Sequence, residues 1–263
     1  MKECFIKLEE NEIGIVKLII NNSSSKNALN PTILNEITAN LKNLKERDNL
    51  RLLIVTGAGN AFSAGADLEW MKASKGLSLS ENKKDALNFS NMLKNLEEFP
   101  VPTLALVNGS AYGGGLGIIA ACDFAVSFKE AKYCFSEVKL GLIPAMIGPY
   151  VLRVLGYKKT KYLFLTGKVF TAEEALKINL IDFIGNEDEV HNWLNKFKAD
   201  ILNGGPKAQK EIKNFLLKIN NRSVDDTLLD EASQRIASIR VSEEGQEGIK
   251  AFLDKKKPKW VKS

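Results

Sequence analysis

The sequence contains a single histidine among its 263 residues. That scarcity excludes metal centres built on several imidazoles, and it leaves a Ser–His–Asp relay only His191 to use. His191 lies in Asp188-Glu189-Val190-His191-Asn192-Trp193-Leu194, an amphipathic stretch remote from every other motif, and reads as a surface histidine. Acid–base chemistry therefore falls to carboxylates, backbone groups or water. Cysteine is scarce too. Cys4, Cys122 and Cys134 are odd in number and form no C-x-x-C, which excludes a zinc ribbon or a thioredoxin-like motif. Free thiols suit a reducing compartment. No apolar run approaches the roughly 20 residues of a membrane-spanning helix. Residues 1–10 carry Lys2, Glu3, Lys7, Glu9 and Glu10 where a leader peptide would have an apolar core. The expectation is a soluble cytoplasmic protein without a metal.

What is present is ordinary in bulk. Hydrophobic residues make up 44% and charged residues 26%, the balance of a globular protein with a sizeable core. The length fits one large domain, or one domain with an appendage. The net charge of +5 is mild, and much of it sits in Lys255-Lys256-Lys257-Pro258-Lys259. Such a tail reads as solvated surface, as a phosphate contact for a small anionic ligand, or as nonspecific nucleic-acid affinity. Aromatic interleaving there is limited to Phe252 and Trp260, so the nucleic-acid signal is weak.

The hydrophobic pattern alternates between strand and helix. Residues 15–20 are rich in β-branched side chains and read as a strand. A Ser-rich loop follows, and Asn30-Pro31 reads as the start of a helix over about 31–46, with Ile33, Leu34, Ile37, Leu41 and Leu44 on one face. Residues 51–56 form a buried-type strand. A loop over 57–69, a helix over about 82–97 and a strand over 103–107 follow. A Gly-rich loop then leads into a short helix at about 115–121, with strands at 124–128 and 132–135. Thr171-Ala172-Glu173-Glu174 has the spacing of a capping box and opens another helix. Beyond Gly204-Gly205-Pro206 three apolar helical stripes follow one another. The reading is an α/β body over 1–203 and a helical region over 204–263.

Two glycine-rich loops stand between predicted strands and helices: Ala61-Phe62-Ser63-Ala64-Gly65-Ala66-Asp67-Leu68, and Asn108 to Gly117. Glycine permits positive φ and close approach to a ligand, and a helix start aims free N–H groups outward. Side by side, two such loops offer two donors to one oxygen, the arrangement that stabilises an enolate. Tight turns and close packing are the alternative reading. Gly115-Leu116-Gly117-Ile118-Ile119-Ala120 matches G-x-G-x-x-A, but it stands too far beyond Val107, and Asp123 follows too soon to hold a ribose. No G-x-x-x-x-G-K-[ST] exists, so a P-loop is excluded.

In this order and spacing, Lys26-Asn27-Ala28-Leu29, Phe62-Ser63-Ala64-Gly65-Ala66-Asp67, Val107-Asn108-Gly109, Gly113-Gly114-Gly115, Ala121-Cys122-Asp123, Phe135 to Pro144 and Leu165-Thr166-Gly167 resemble the crotonase, or enoyl-CoA hydratase/isomerase, superfamily. The resemblance implies a spiral of ββα units with a C-terminal helical region that builds a homotrimer or a dimer of trimers. It implies an acyl-CoA substrate, with coenzyme A as carrier and no further cofactor. The N–H groups of Ala66 and Gly114 match the family's oxyanion hole, and the Ala64 carbonyl matches an adenine contact. Lys26 lies near the phosphate region, and Phe252 and Lys255 match tail positions that reach the CoA of a neighbouring subunit. Ala28, Asp67, Leu68 and Tyr112 belong to the same binding segments. Leu116, Ile143, Pro144, Ala145 and Met146 are candidates for the substrate wall, with ordinary core as the alternative.

One departure matters. Hydratases of this family carry two glutamates that share a water. The second matches Glu137; at the position of the first this chain has Gly117. Either Glu137 acts alone, or a carboxylate elsewhere in the chain or on the substrate helps hold the water; in the chain Asp67 and Glu69 are candidates whose alternative role is structural. A single glutamate also suits the enoyl-CoA isomerases, which move a proton along a dienolate without water. The run from Phe135 to Tyr150, with Pro144-Ala145-Met146-Ile147-Gly148-Pro149, resembles the branch that hydrates methylglutaconyl-type thioesters, whose substrates carry a distal carboxylate. A CoA-thioester-binding regulator and an RNA-binding protein are the non-enzyme alternatives.

Overall fold

The computed structural model describes residues 4–11 and 13–261; Lys2 and Glu3 of the leader argument lie outside them. The chain begins with an antiparallel hairpin, β1 (Ile6–Glu10) and β2 (Ile15–Ile20), followed by α1 (Pro31–Lys45). Asn30 caps α1 by accepting from the Ile33 N–H at 2.9 Å, and Pro31 occupies the first turn. Then come β3 (Leu52–Gly57), β4 (Ala61–Ser63), α2 (Leu68–Ser74) and α3 (Leu79–Glu97). The next units are β5 (Thr103–Val107), β6 (Ser110–Tyr112) and α4 (Gly114–Ala121), and β7 (Phe124–Phe128), β8 (Lys132–Cys134) and α5 (Gly148–Thr166). The body closes with β9 (Phe170–Thr171), α6 (Ala172–Lys177), β10 (Phe183–Gly185) and α7 (Glu187–Asn203). Helices α8 (Pro206–Ile219), α9 (Asp226–Val241) and α10 (Glu243–Leu253) end the chain.

The strand pairs β3-β4, β5-β6 and β7-β8 each feed two sheets. The first strand of each pair joins a six-stranded sheet of order β1-β2-β3-β5-β7-β10, which also holds the β1-β2 hairpin and β10, and the second joins a four-stranded sheet of order β4-β6-β8-β9. From β2 onward the large sheet is parallel. That is the spiral the family resemblance implied. Buried parallel strands expose neither face, so side chains of alternating residues enter two separate cores. Leu53, Val55, Ala105 and Val107 face one core with α1, α3 and α4; Leu52, Ile54, Leu104 and Leu106 face the other with Val190, Leu194 and Ile201 of α7.

The structure adds elements that the pattern did not announce. β4, β6 and β10 have three residues each, too few to show a period, whereas β8 falls within the strand expected at 132–135. α3 starts three residues earlier than expected, because Ser78 and Glu81 form a capping box. α5 is interrupted at Gly156, where φ is 71° and ψ 166°, which breaks the apolar period that would have announced it. His191 is exposed on α7, as expected. Cys4, Cys122 and Cys134 are free thiols. Among the described residues no helix is long and apolar enough to cross a membrane, and no three metal-ligating side chains cluster.

The tail is tied to the body by polar contacts. The Arg51 guanidinium donates to the carbonyls of Gly204 at 2.7 Å and of Ile201 and Leu202 at 3.3 Å, covering the C-terminal end of α7 with positive charge. Lys213 bonds Asp123 and the Val101 carbonyl. Helices α8 and α9 otherwise bury little: Leu228 is the only buried side chain of the two.

Candidate active site

The small sheet assembles the site. β6 pairs in parallel with β4 on one side and β8 on the other. The segments leaving the C-terminal ends of these three strands therefore lie side by side, where open α/β sheets place their ligands. They contribute Ala66 after β4, Gly114 after β6 and Glu137 after β8. A cavity of about 720 Å³ opens over them, and all three line it.

The two amides are prepared by their neighbours. Leu29 forms a parallel bridge to Ala66: its N–H donates to the Gly65 carbonyl at 2.7 Å, and its carbonyl accepts from Asp67 N–H at 2.8 Å. In a parallel bridge the residue between those two partners turns its own N–H the other way. The Ala66 N–H thus points away from Leu29 and donates to no group among the described residues. Gly114 is the first residue of α4, so its N–H has no acceptor within the helix. Glycine precedes each donor because the turn demands it: Gly65 has φ +88° and Gly113 φ +45°. A Cβ on Gly65 would lie 3.0 Å from the Tyr112 carbonyl, so the two loops touch backbone to backbone.

Glu137 completes the group. A Cβ placed on Gly113 would lie 3.1 Å from Glu137 Oε1, so the carboxylate rests against the residue before the Gly114 donor. Glu137 Oε2 is buried and has no hydrogen-bond partner among the described residues. Burial pushes its pKa up from the usual 4.5, with only a backbone hydrogen bond opposing the shift. A desolvated carboxylate with a free oxygen beside two free amides is equipped to move a proton on the carbon next to a polarised carbonyl.

Gly117 is buried in α4 and packs against Ile147. A Cβ there would come within 2.2 Å of Ile147 Cγ2. Ile147 lines the cavity, so an apolar side chain fills the space that any longer residue at 117 would need.

Residues 10–263 match the enoyl-CoA hydratase/isomerase family. The chain belongs to that family. It is 30% identical over 257 residues to a protein of Thermus thermophilus, covering 97% of this chain and 100% of that one. It is 30% identical to a crotonyl-CoA hydratase of Syntrophomonas wolfei over 254 residues, covering 96% of each chain. The crystal structure of an enoyl-CoA hydratase from Shewanella pealeana superposes with a TM-score of 0.94 at 36% identity, over 97% of this chain and 96% of that one.

In this enoyl-CoA hydratase/isomerase family member, ten of the anticipated residues line one cavity: Ala28, Ala64, Ala66, Asp67, Leu68, Gly114, Glu137, Ile143, Pro144 and Met146. Leu68 and Ile143, 68% and 77% exposed, form its apolar rim. Other expectations need correction. Leu116 is fully buried in the core behind the site, because the α4 face that carries it turns away from the cavity. Gly117 packs on Ile147 and does not itself line the cavity, and Ala145 is exposed outside it. Tyr112 meets the site through its carbonyl, against Gly65. Lys26, Phe252 and Lys255 are exposed and lie outside the cavity of their own chain.

The two candidate helper carboxylates have structural work. Asp67 Oδ1 caps α2, accepting from Glu69 N–H at 2.9 Å and Trp70 N–H at 3.1 Å. Glu69 pairs with Lys72 at 2.6 Å in solvent. Sequence reasoning missed Trp70, Met71, Asp85, Phe89 and Ile147 on the cavity wall. An Asp N-cap ahead of Leu68-Glu69-Trp70-Met71 was a usable sign of α2. Nothing local in the sequence shows that Phe89 packs on Gly114, where a Cβ would meet its ring at 2.9 Å.

Proposed function

We propose that this protein converts an acyl-CoA thioester through an enolate, with Glu137 as its only acid–base group. The observation that carries the reading is the desolvated Glu137 carboxylate resting against Gly113, its Oε2 unpartnered among the described residues, beside two amides that donate to no group among them. The thioester oxygen accepts from Ala66 and Gly114 N–H, and the charge that develops on it is worth about 3 kcal/mol per donor.

The reaction proposed is reversible hydration of a 2-enoyl-CoA, the activity in the names of the hydratase relatives. Ionised Glu137 takes a proton from water as the water oxygen bonds C3. The electron pair of the double bond moves into the enolate. Neutral Glu137 then returns that proton to C2, and one water has been added. Ile147 favours a second reading, 3-enoyl to 2-enoyl isomerisation, since its side chain fills the space beside Gly117 where a second glutamate would hold the water. Incubation with a 2-enoyl-CoA and a 3-enoyl-CoA separates the two. Hydration of the first supports the hydratase reading; double-bond migration in the second without any hydration replaces it.

The Ala64 carbonyl and Lys26 are proposed for the adenine and phosphate end. Phe252, 82% exposed, and Lys255 are proposed to reach the CoA of a neighbouring copy. The uncovered apolar side chains of the tail, among them Val224, Val241 and Leu253, support assembly as a trimer or a dimer of trimers. Light scattering after size exclusion reads that mass directly.

A further inference from the structure

Four carboxylates line the cavity, and three of them are accounted for: Asp67 caps α2, Glu69 pairs with Lys72, and Glu137 is the proposed acid–base group. Asp85 remains. It stands on α3 four residues before Phe89, hence on the same helix face and about 6 Å along the axis. Phe89 itself touches Gly114. The Asp85 carboxylate therefore lines the cavity one helical turn along α3 from the ring that packs on the Gly114 donor, and Trp70, Met71, Ala86 and Ile147 are among the apolar residues that line the same cavity. Trp70 Nε1 donates to Asp85 Oδ2 and fixes the group in place. Oδ1 has no hydrogen-bond partner among the described residues, and neither lysine nor arginine is found among those that line the cavity.

We propose that Asp85, oriented by Trp70, is the specificity-determining residue of the acyl cavity: it admits neutral acyl groups and rejects thioesters that carry a distal carboxylate. A fixed negative charge without a counter-cation, on a partly enclosed apolar wall, repels a second carboxylate more than solvent would allow. The indole bond keeps Asp85 from swinging aside. The consequence opposes the substrate class suggested by the Phe135–Tyr150 pattern, which needs a cation at this end. The proposal rests on the acyl-CoA reading above.

The test uses two inert saturated thioesters, butyryl-CoA and glutaryl-CoA, titrated into the full chain by calorimetry. The wild type is expected to bind butyryl-CoA at least tenfold more tightly. Asp85→Asn keeps an acceptor for the indole and removes the charge; it should close most of that gap by strengthening glutaryl-CoA, with butyryl-CoA changed less than twofold. Trp70→Phe, which frees the carboxylate, should narrow the gap in part and decides the matter if Asp85→Asn does not fold. Equal affinities in the wild type, a preference for glutaryl-CoA, an unchanged gap in both variants, or an equal loss of both ligands in Asp85→Asn would overturn the proposal. Failure of the wild type to bind either thioester would overturn the acyl-CoA reading itself, and this proposal with it.

Discussion

Gly117 and Ile147 occupy one space: a Cβ on the glycine would meet the isoleucine Cγ2 at 2.2 Å. A glutamate at 117 and an isoleucine at 147 therefore exclude each other, and the chain has the apolar member of the pair. Among the described residues this leaves Glu137 as the only carboxylate with a buried, unpartnered oxygen.

Gly117→Ala should cost about 1–3 kcal/mol by overpacking. Ile147→Ala should cost about 2–4 kcal/mol through the cavity it leaves. The double variant should be less destabilised than the sum, because each change relieves the other. A double-mutant cycle by urea unfolding reads the coupling; strict additivity would show that the two side chains do not compete.

Asn27 is fully buried with φ +57°, and it braces the loop that carries Ala64 and Ala66. Its Nδ2 donates to the Ala58 carbonyl at 2.9 Å and the Ala61 carbonyl at 2.7 Å, while Oδ1 accepts from Asn22 N–H at 2.9 Å. Asn27→Ala leaves those partners unpaired and should cost about 3 kcal/mol. Asn27→Gly keeps the backbone conformation and should lose somewhat less. Thermal unfolding of both variants checks this.

Glu137 should make the enzyme acid-sensitive above the usual carboxylate range. Burial raises its pKa from 4.5. The base form is lost as pH falls through that raised value, so the acid limb of kcat/KM should lie above pH 4.5, and a limb at or below it would count against Glu137 as base.

The same shift sets a stability sign. The folded state holds the Glu137 proton to a higher pH than the unfolded chain does. Ionised Glu137 therefore subtracts stability at neutral pH, and the loss disappears below the unfolded pKa. Glu137→Gln should unfold no lower than the wild type at pH 7, with a gain on the order of 1 kcal/mol, or about 2–4 °C.

How far the sequence carried the fold varies by element. The long strands were legible because β3 and β5 are apolar along their length, and α1 because Asn30-Pro31 precedes a helical stripe. Of the small sheet only β8 was legible, as the strand expected at 132–135; β4, β6 and β9 are too short to show a period and gain stability by pairing with their neighbours. Of the site, the residues carried by short motifs were legible: Ala66, Gly114, Glu137. Asp85, Phe89 and Ile147 were not, because what places them is the packing of α3 and the 141–147 segment over α4. Phe252 and Lys255 read as ligand contacts only through the family resemblance, and they lie outside the cavity of their own chain.

The most direct measurement is exchange of the C2 protons of a saturated acyl-CoA in deuterated water, followed for the wild type and Glu137→Gln. Exchange needs only the oxyanion donors and the base, whatever the natural acyl group. The wild type should catalyse it, and Glu137→Gln should bind the thioester with similar affinity while exchanging about 10²–10⁴-fold more slowly. Exchange by Glu137→Gln at the wild-type rate would contradict the assignment of Glu137 as the acid–base group.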